Sequence, residues 1–218
     1  MVQRGNYDQG LSFMSKAIEL DPKNEIFRIS KGNLLKSLER SNEAIKCYDE
    51  TIEICPNSAD AYFGKGHILI EKYRFKDALN CFNKSIEINP AKEEYHYSKG
   101  NTLKLLEKYN DAIKSLDEAL KINPSFAAAY QAKGEVLMEK ECFEESLILL
   151  SKACDIEPRT SSLTSKGNCL VSMRRFHEAL QCFDLVLNID PHDMLAIAFK
   201  TKCQSEINRI AKKKLVRK

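Results

Sequence analysis

The prolines of this chain recur at a nearly constant interval. There are six, and each follows the previous one by 34 or 33 residues: Pro22, Pro56, Pro90, Pro124, Pro158 and Pro191. Proline donates no backbone hydrogen bond and cannot continue the interior of a helix. The residues between consecutive prolines are mostly helix formers, so each proline marks the boundary between two helical units. We therefore predict an array of sequence repeats.

A column of glycines sets the phase of the repeats: Gly32, Gly66, Gly100, Gly134 and Gly167. Each lies ten residues after a proline, except the last, which follows Pro158 by nine. One residue has therefore been lost between Pro158 and Gly167. With this glycine numbered position 8, the repeats are 25–58, 59–92, 93–126, 127–160 and a shortened 161–193.

Each repeat has the pattern of two amphipathic helices joined by a short turn. In repeat 93–126, apolar residues fall at three- and four-residue steps within 95–106 and 112–122, with polar residues between the two blocks. Small residues at positions 8 and 20 let two helix backbones approach closely. We expect the aromatic residue at position 17 to fill the space beside them.

These columns resemble the tetratricopeptide repeat. In that family the repeat has an aromatic residue at position 4, Leu and Gly at 7 and 8, Ala at 20, an aromatic residue at 24 and Pro at 32. Repeat 59–92 matches this pattern at Tyr62, Gly66, Ala78, Phe82 and Pro90. Repeat 127–160 matches at Tyr130, Gly134, Ala153 and Pro158. The resemblance implies an all-α, right-handed superhelical solenoid of stacked antiparallel helix pairs, which we expect to form one domain.

Both ends of the chain hold incomplete repeats. Residues 1–24 match the second half of a repeat whose first helix is missing, so Leu11, Met14 and Ile18 would have no preceding helix to cover them. We interpret the chain as a fragment of a longer protein; the alternative is that this end self-associates or docks on another subunit. Residues 194–218 begin another first helix, and we expect a capping helix followed by a basic tail.

Composition favours a protein that stays in water and in a reducing compartment, such as the cytoplasm. Hydrophobic residues make up 43% of the chain, with no apolar run of about 18 residues that could span a bilayer. None of the eight cysteines forms a CxxC pair. Cys47, Cys81 and Cys182 share position 23, and in stacked repeats they would lie roughly 10 Å apart, too far for a disulfide. We interpret the cysteines as small apolar residues.

The basic tail supplies the positive charge of the chain. Its cations are Arg209, Lys212, Lys213, Lys214, Arg217 and Lys218, and no acid follows Glu206. Cations at a helix end interact favourably with the helix dipole. A nuclear-import signal and a contact with an anionic surface are the alternatives.

No catalytic, cofactor or metal motif is apparent. None of the four histidines lies near a glycine-rich loop, a nucleophile motif or a second ligand at metal-binding spacing. We therefore expect a protein that is not an enzyme and needs no cofactor or metal.

The resemblance implies that the first helices line a concave groove, with positions 2, 5, 9 and 12 facing it; we carry over positions 5 and 9. We define the groove residues as Ile29, Asn33, Phe63, His67, Tyr97, Asn101, Gln131, Glu135 and Asn168; Thr164 also takes position 5. The expected function is an adaptor or scaffold that holds an extended peptide or helix of a partner protein. Phe63 and Tyr97 would anchor an apolar side chain, since large exposed aromatics often mark binding sites. Amides at Asn33 and Asn101 would pair with the ligand backbone.

Two other partners are disfavoured. Relatives that bind chaperone tails use a cationic clamp, of which this chain retains only an asparagine, Asn33 or Asn101. An RNA-binding helical-repeat protein is the alternative from another class, but the array is mildly acidic and has no alternating base-reading pair in each repeat.

One column departs from the family pattern, since position 7 is always lysine: Lys31, Lys65, Lys99, Lys133 and Lys166. Evenly spaced cations could track phosphates. We favour a structural role, in which the lysine stem packs on the helix interface and the ammonium group pairs with Asp49, Asp117 or Asp184 at position 25.

Overall fold

The computed structural model of the chain describes residues 2–216, and side chains within residues 7–213. The helices of this range are α1 (Val2–Leu20), α2 (Glu25–Ser37), α3 (Ser41–Ile54), α4 (Ala59–Glu71), α5 (Phe75–Ile88), α6 (Glu93–Leu105), α7 (Tyr109–Ile122), α8 (Ala127–Glu139), α9 (Phe143–Ile156), α10 (Thr160–Ser172), α11 (Phe176–Ile189) and α12 (Met194–Val216). No strand occurs in the same range, so the predicted all-α fold is confirmed. No helix within it combines the length and the apolar character needed to cross a membrane.

The chain divides into two compact halves, Met1–Lys108 and Tyr109–Lys218. In the N-terminal half each helix from α1 to α6 packs on the next, and α2 also contacts α4. In the C-terminal half α7 to α12 pack in the same order, and α8 also contacts α10. Contacts between successive helices and between successive first helices are those of stacked helix pairs.

The turn inside each pair has three residues, and its middle residue is left-handed although it is not glycine. These residues have φ near 60°: Glu39, Tyr73, Glu107, Glu141 and Arg174. In the first turn Arg40 N donates to Leu35 O and Glu39 N donates to Lys36 O, both at 2.9 Å. This is a Schellman motif, which satisfies the last carbonyl groups of the first helix.

The connection between pairs carries the proline. Four residues separate the helices in most of these connections, as at 55–58, but only three residues, 157–159, precede α10. The missing residue therefore lies in this connection and leaves the helices on either side of it intact.

Four of the glycines at position 8 lie under a large side chain from the second helix of their own repeat. A Cβ atom added to Gly32 or Gly66 would lie 2.6 Å from the Tyr48 ring or 2.7 Å from the Phe82 ring. Leu150 and Phe183 occupy the same place over Gly134 and Gly167. The space is thus filled from position 24, and the prediction that position 17 fills it is wrong. The side chain at position 24 projects toward the glycine across the pair.

Helix α1 is covered differently from our prediction. Leu11 is only 9% exposed and packs with Leu35 and Tyr48, because α2 covers this side of α1. Met14 and Ile18 are half-buried. The apolar side chains that remain exposed on α1 include Phe13 and Leu20.

Candidate functional site

The groove residues lie on the first helices of the repeats, α2, α4 and α6 in the N-terminal half and α8 and α10 in the C-terminal half. Asn33 is exposed, and the other eight are half-buried. Residues at positions 8 and 11 of the same helices, such as Gly66 and Leu69, are buried. Positions 5 and 9 therefore keep accessible surface in every repeat.

In the N-terminal half, Phe63 belongs to a cluster of rings. Its ring centroid lies 4.5 Å from that of His67, 4.8 Å from that of Tyr95 and 5.7 Å from that of Phe82. Phe63 therefore has a packing role in addition to its accessible surface. Phe63 presents one part of its surface to solvent, and the rest packs on the buried rings of Phe82 and Tyr95. Tyr97 is half-buried on the same helix as Tyr95.

His67 is held as a neutral imidazole. Burial, reinforced by the nearby Lys36 ammonium group, lowers the pKa of His67 to about 4. Ser98 Oγ of the next repeat lies 3.4 Å from His67 Nε2. At neutral pH His67 therefore contributes a hydrogen-bonding ring and no positive charge.

A carboxylate that the sequence analysis missed lies beside this cluster. Tyr95 Oη donates to Asp60 Oδ1 at 2.6 Å, and Lys92 Nζ lies 2.8 Å from the same atom. Although burial opposes it, these two donors hold the pKa of Asp60 below its usual range. Asp60 takes position 2, which the family resemblance also places at the groove. This position was the signal in the sequence for Asp60.

In the C-terminal half, hydrogen bonds connect the groove residues across two repeats. Gln131 Nε2 donates to Glu135 Oε1 at 2.9 Å, and Ser165 Oγ donates to the same oxygen at 2.9 Å. Ser161 Oγ donates to Gln131 Oε1 at 3.2 Å. Sequence analysis missed both serines. Their signal was the spacing of 30 residues that separates Ser165 from Glu135 and Ser161 from Gln131.

The asparagines at position 9 differ in their partners. Tyr48 Oη donates to Asn33 Oδ1 at 2.6 Å. Asn168 Oδ1 is buried and has no hydrogen-bond partner among the described residues. Position 24 of its repeat is Phe183, which has no hydroxyl group to donate. Of these two asparagines, only Asn33 therefore has its amide orientation set by a tyrosine.

The lysine column forms ion pairs between successive repeats. Lys65 Nζ lies 2.5 Å from Asp49 Oδ1, and Lys133 Nζ lies 2.5 Å from Asp117 Oδ1. Lys200 of α12 repeats the contact with Asp184 at 2.6 Å. The predicted partners Asp49, Asp117 and Asp184 are confirmed.

Among the described residues, no group of three potential ligands could hold a metal ion. All eight cysteines are free, and five of them are buried. Burial raises the pKa of Cys47, Cys81 and Cys182, so these thiols stay protonated.

Family models for the tetratricopeptide repeat match residues 59–92, 93–126 and 160–193, and a model for the TPR repeat matches residues 32–72. Together these matches cover more than half of the chain. The chain belongs to the tetratricopeptide-repeat family. Proteins of this family generally mediate protein–protein interactions and are generally non-catalytic scaffolds.

Several solved structures resemble this one. YrrB, described as a TPR protein with an unusual peptide-binding site, is 26% identical, covers 86% of this chain and 97% of its own, and superposes with a TM-score of 0.65. PilF of Pseudomonas aeruginosa is 16% identical over 84% of both chains, with a TM-score of 0.76. TTC0263, a thermophilic TPR protein of Thermus thermophilus, is 17% identical over 83% of this chain and 99% of its own, with a TM-score of 0.70. The latter two show the fold alone. The search of curated proteins gave no match.

Proposed function

We propose that this chain is a non-catalytic adaptor that holds an extended peptide or a helix of a partner protein against the groove residues. The observation that carries the proposal is their accessibility. All nine keep accessible surface, whereas the residues beside them at positions 8 and 11 are buried in the helix pairs. Side chains that vary in chemistry but remain accessible at the same two positions of each first helix suit recognition better than packing.

The N-terminal half of this surface suits an apolar side chain. Phe63 is fixed by Phe82 and Tyr95, so it loses little conformational entropy when a ligand packs on it. Ile29 and Tyr97 add half-buried surface on the neighbouring first helices. A pre-ordered ring with apolar neighbours is the kind of anchor that dominates binding energy.

The Asn33 side chain supplies a hydrogen-bond donor for the backbone of a bound peptide. Its Oδ1 accepts a hydrogen bond from Tyr48, which orients the amide and leaves both hydrogens of its NH2 group for a ligand. We expect this donor to pair with a carbonyl oxygen of an extended peptide. The described peptide-binding site of YrrB adds support, since that protein has the same fold and is 26% identical.

The test is a quantitative pull-down that compares the wild-type chain with the Phe63→Ala, Tyr97→Ala double variant. Loss of a partner from the variant, with its helical circular dichroism unchanged, would support the proposal. The matched control is Phe13→Ala, Tyr73→Ala, which removes the same residue types where they are 70% and 82% exposed outside the groove residues.

Two results would contradict the proposal. One is an unchanged partner list for the groove variant. The other is an equal loss from both double variants. A partner that is released by raised salt but retained by the Tyr97→Ala variant would favour RNA binding instead.

A further inference from the structure

The position-7 lysines fall into two groups. Lys65, Lys133 and Lys200 pair with an aspartate of the preceding second helix. The other three lysines have a different residue at the position of this aspartate. Lys31 faces the position of Ser15, Lys99 that of Asn83 and Lys166 that of Ser151. In the part of the chain that the structure describes, these three lysines form no ion pair with a carboxylate.

Lys166 lines a cleft with an apolar wall. The cleft has a volume of about 250 Å³ and lies between α9, α10 and α11. Leu147, Leu163 and Leu170 supply the wall, and Ser151 and Lys166 lie beside them. An ammonium group next to leucines, where other repeats place an aspartate, lacks the counter-ion for which this position is built.

The other charges of the cleft neutralise each other. Arg175 Nε lies 2.7 Å from Glu178 Oε1, and Arg175 Nη2 lies 2.6 Å from Glu178 Oε2. This bidentate pair leaves both groups satisfied. The charged residues of the lining are Lys166, Arg175 and Glu178, so the lining carries a net positive charge.

Two other clefts also hold lysines, but acidic residues lie beside them. In the cleft of about 480 Å³ that includes Tyr130, Lys133 pairs with Asp117 and Lys121 with Glu118. The cleft beside Lys31 is lined by two lysines and two glutamates, so its lining carries no net charge. Of these three clefts, the Lys166 cleft is the one that combines a net positive lining with a lysine that forms no ion pair with a described residue.

The Lys166 cleft is separate from the groove residues. Lys166 and Asn168 lie two residues apart on α10, which places them about 200° apart around the helix. A ligand in the cleft would therefore contact the opposite side of α10 from one bound at Asn168.

We propose that this cleft binds an acidic side chain of a partner polypeptide together with an adjacent apolar side chain. The carboxylate takes the place of the missing aspartate beside Lys166, and the apolar side chain packs on the three leucines. The cleft is smaller than the pockets of about 300–1,000 Å³ that hold drug-sized ligands. It therefore suits one or two side chains of a longer segment.

The decisive variant is Ser151→Asp, which introduces the aspartate that pairs with the position-7 lysine between three other pairs of successive repeats. The probe is the labelled peptide acetyl-Leu-Glu-Leu-Glu-Leu-amide, titrated into the full chain and followed by amide chemical shifts around Lys166. We expect Ser151→Asp and Lys166→Gln each to weaken binding about tenfold, because each removes a charge-assisted contact. Lys166→Arg keeps the charge and should retain binding, which separates loss of the site from loss of folding.

The controls locate the peptide. A peptide with glutamine in place of glutamate should bind at least about tenfold more weakly, and Lys133→Gln should change nothing, since that lysine is already paired. Equal affinity for both peptides, or unchanged binding to Ser151→Asp, would overturn the proposal. So would loss of binding on Phe63→Ala, Tyr97→Ala, because the peptide would then occupy the groove residues.

Discussion

The groove residues are held by rings in the N-terminal half and by hydrogen bonds in the C-terminal half. Phe63 and His67 pack on Phe82, whereas Gln131 and Glu135 share hydrogen bonds with serines of the next repeat. Equivalent positions in different repeats are thus supported by aromatic packing in one half and by hydrogen bonds in the other. Added volume should therefore lower stability where rings pack, and the loss of one hydrogen-bond acceptor should lower it in the polar network.

The residue at position 24 accounts for part of this difference. Tyr48 reaches into the next repeat, where a Cβ atom at Gly64 would lie 2.5 Å from Tyr48 Cζ. Leu150 is shorter, and the equivalent of Gly64 in the following repeat is Ser165, which has room to donate to Glu135. The Tyr48 ring therefore requires glycine at position 64, whereas the shorter Leu150 leaves room for the Ser165 hydroxyl group.

The largest expected effect comes from filling the space that Tyr48 occupies. Gly64→Ala should lower the free energy of unfolding by about 2–3 kcal/mol, because the buried Tyr48 ring has no room to move. Urea denaturation would measure it. The control is Gly10→Ala, whose Cβ would meet only the flexible end of Leu34 at 3.2 Å. Equal losses for the two variants would contradict this account.

The second-largest effect is a pH dependence of the free energy of unfolding, which His67 produces in the N-terminal half. The pKa of His67 is about 4 in the folded chain and about 6.5 when unfolded, so between these values the unfolded chain binds more protons. Its contribution to stability is complete above about pH 6.5 and falls on acidification, by about 2 kcal/mol at pH 4.5.

Urea denaturation at pH 7.0, 5.5 and 4.5 would test the His67 contribution. His67→Gln should flatten the dependence relative to wild type. The matched variant His177→Gln, at an exposed position of α11, should leave it unchanged. A wild-type slope retained in His67→Gln would show that other groups cause the loss.

A smaller loss should follow from breaking the polar network. Glu135→Ala removes the acceptor shared by Gln131 and Ser165 and should cost about 1–2 kcal/mol. Thermal denaturation can compare it with Glu53→Ala, at an exposed position of α3. If the two variants lose the same stability, the hydrogen bonds of Glu135 contribute nothing measurable.

The smallest effect should be shared by both halves. Tyr73→Gly and Arg174→Gly place glycine at left-handed positions with φ of 58° and 60°. Each should raise the free energy of unfolding by about 0.5–1 kcal/mol, since left-handed backbone is costly for other residues. Tyr73→Phe keeps the Cβ atom and should give no gain. Stabilisation in only one half would mean that the turns are not equivalent.

Sequence analysis predicted the helix pairs and the lysine–aspartate contacts well, because both repeat at a constant interval. It misplaced the side chain beside the position-8 glycines and missed the packing of Phe63 on Phe82. It also missed Ser161 and Ser165, whose partners lie about one repeat earlier in the chain. These contacts depend on how one repeat rests on the next, and a column of residues does not encode that geometry.

The sequence by itself determined the repeat length and the presence of two amphipathic helices in each repeat. Those features follow from backbone constraints on proline and from the 3.6-residue period of the helix. The tertiary structure decided that Tyr48 requires Gly64, that His67 is neutral and that Lys166 lines a cleft with leucines. Each of these depends on the distance between side chains of different helices, and packing and burial set that distance.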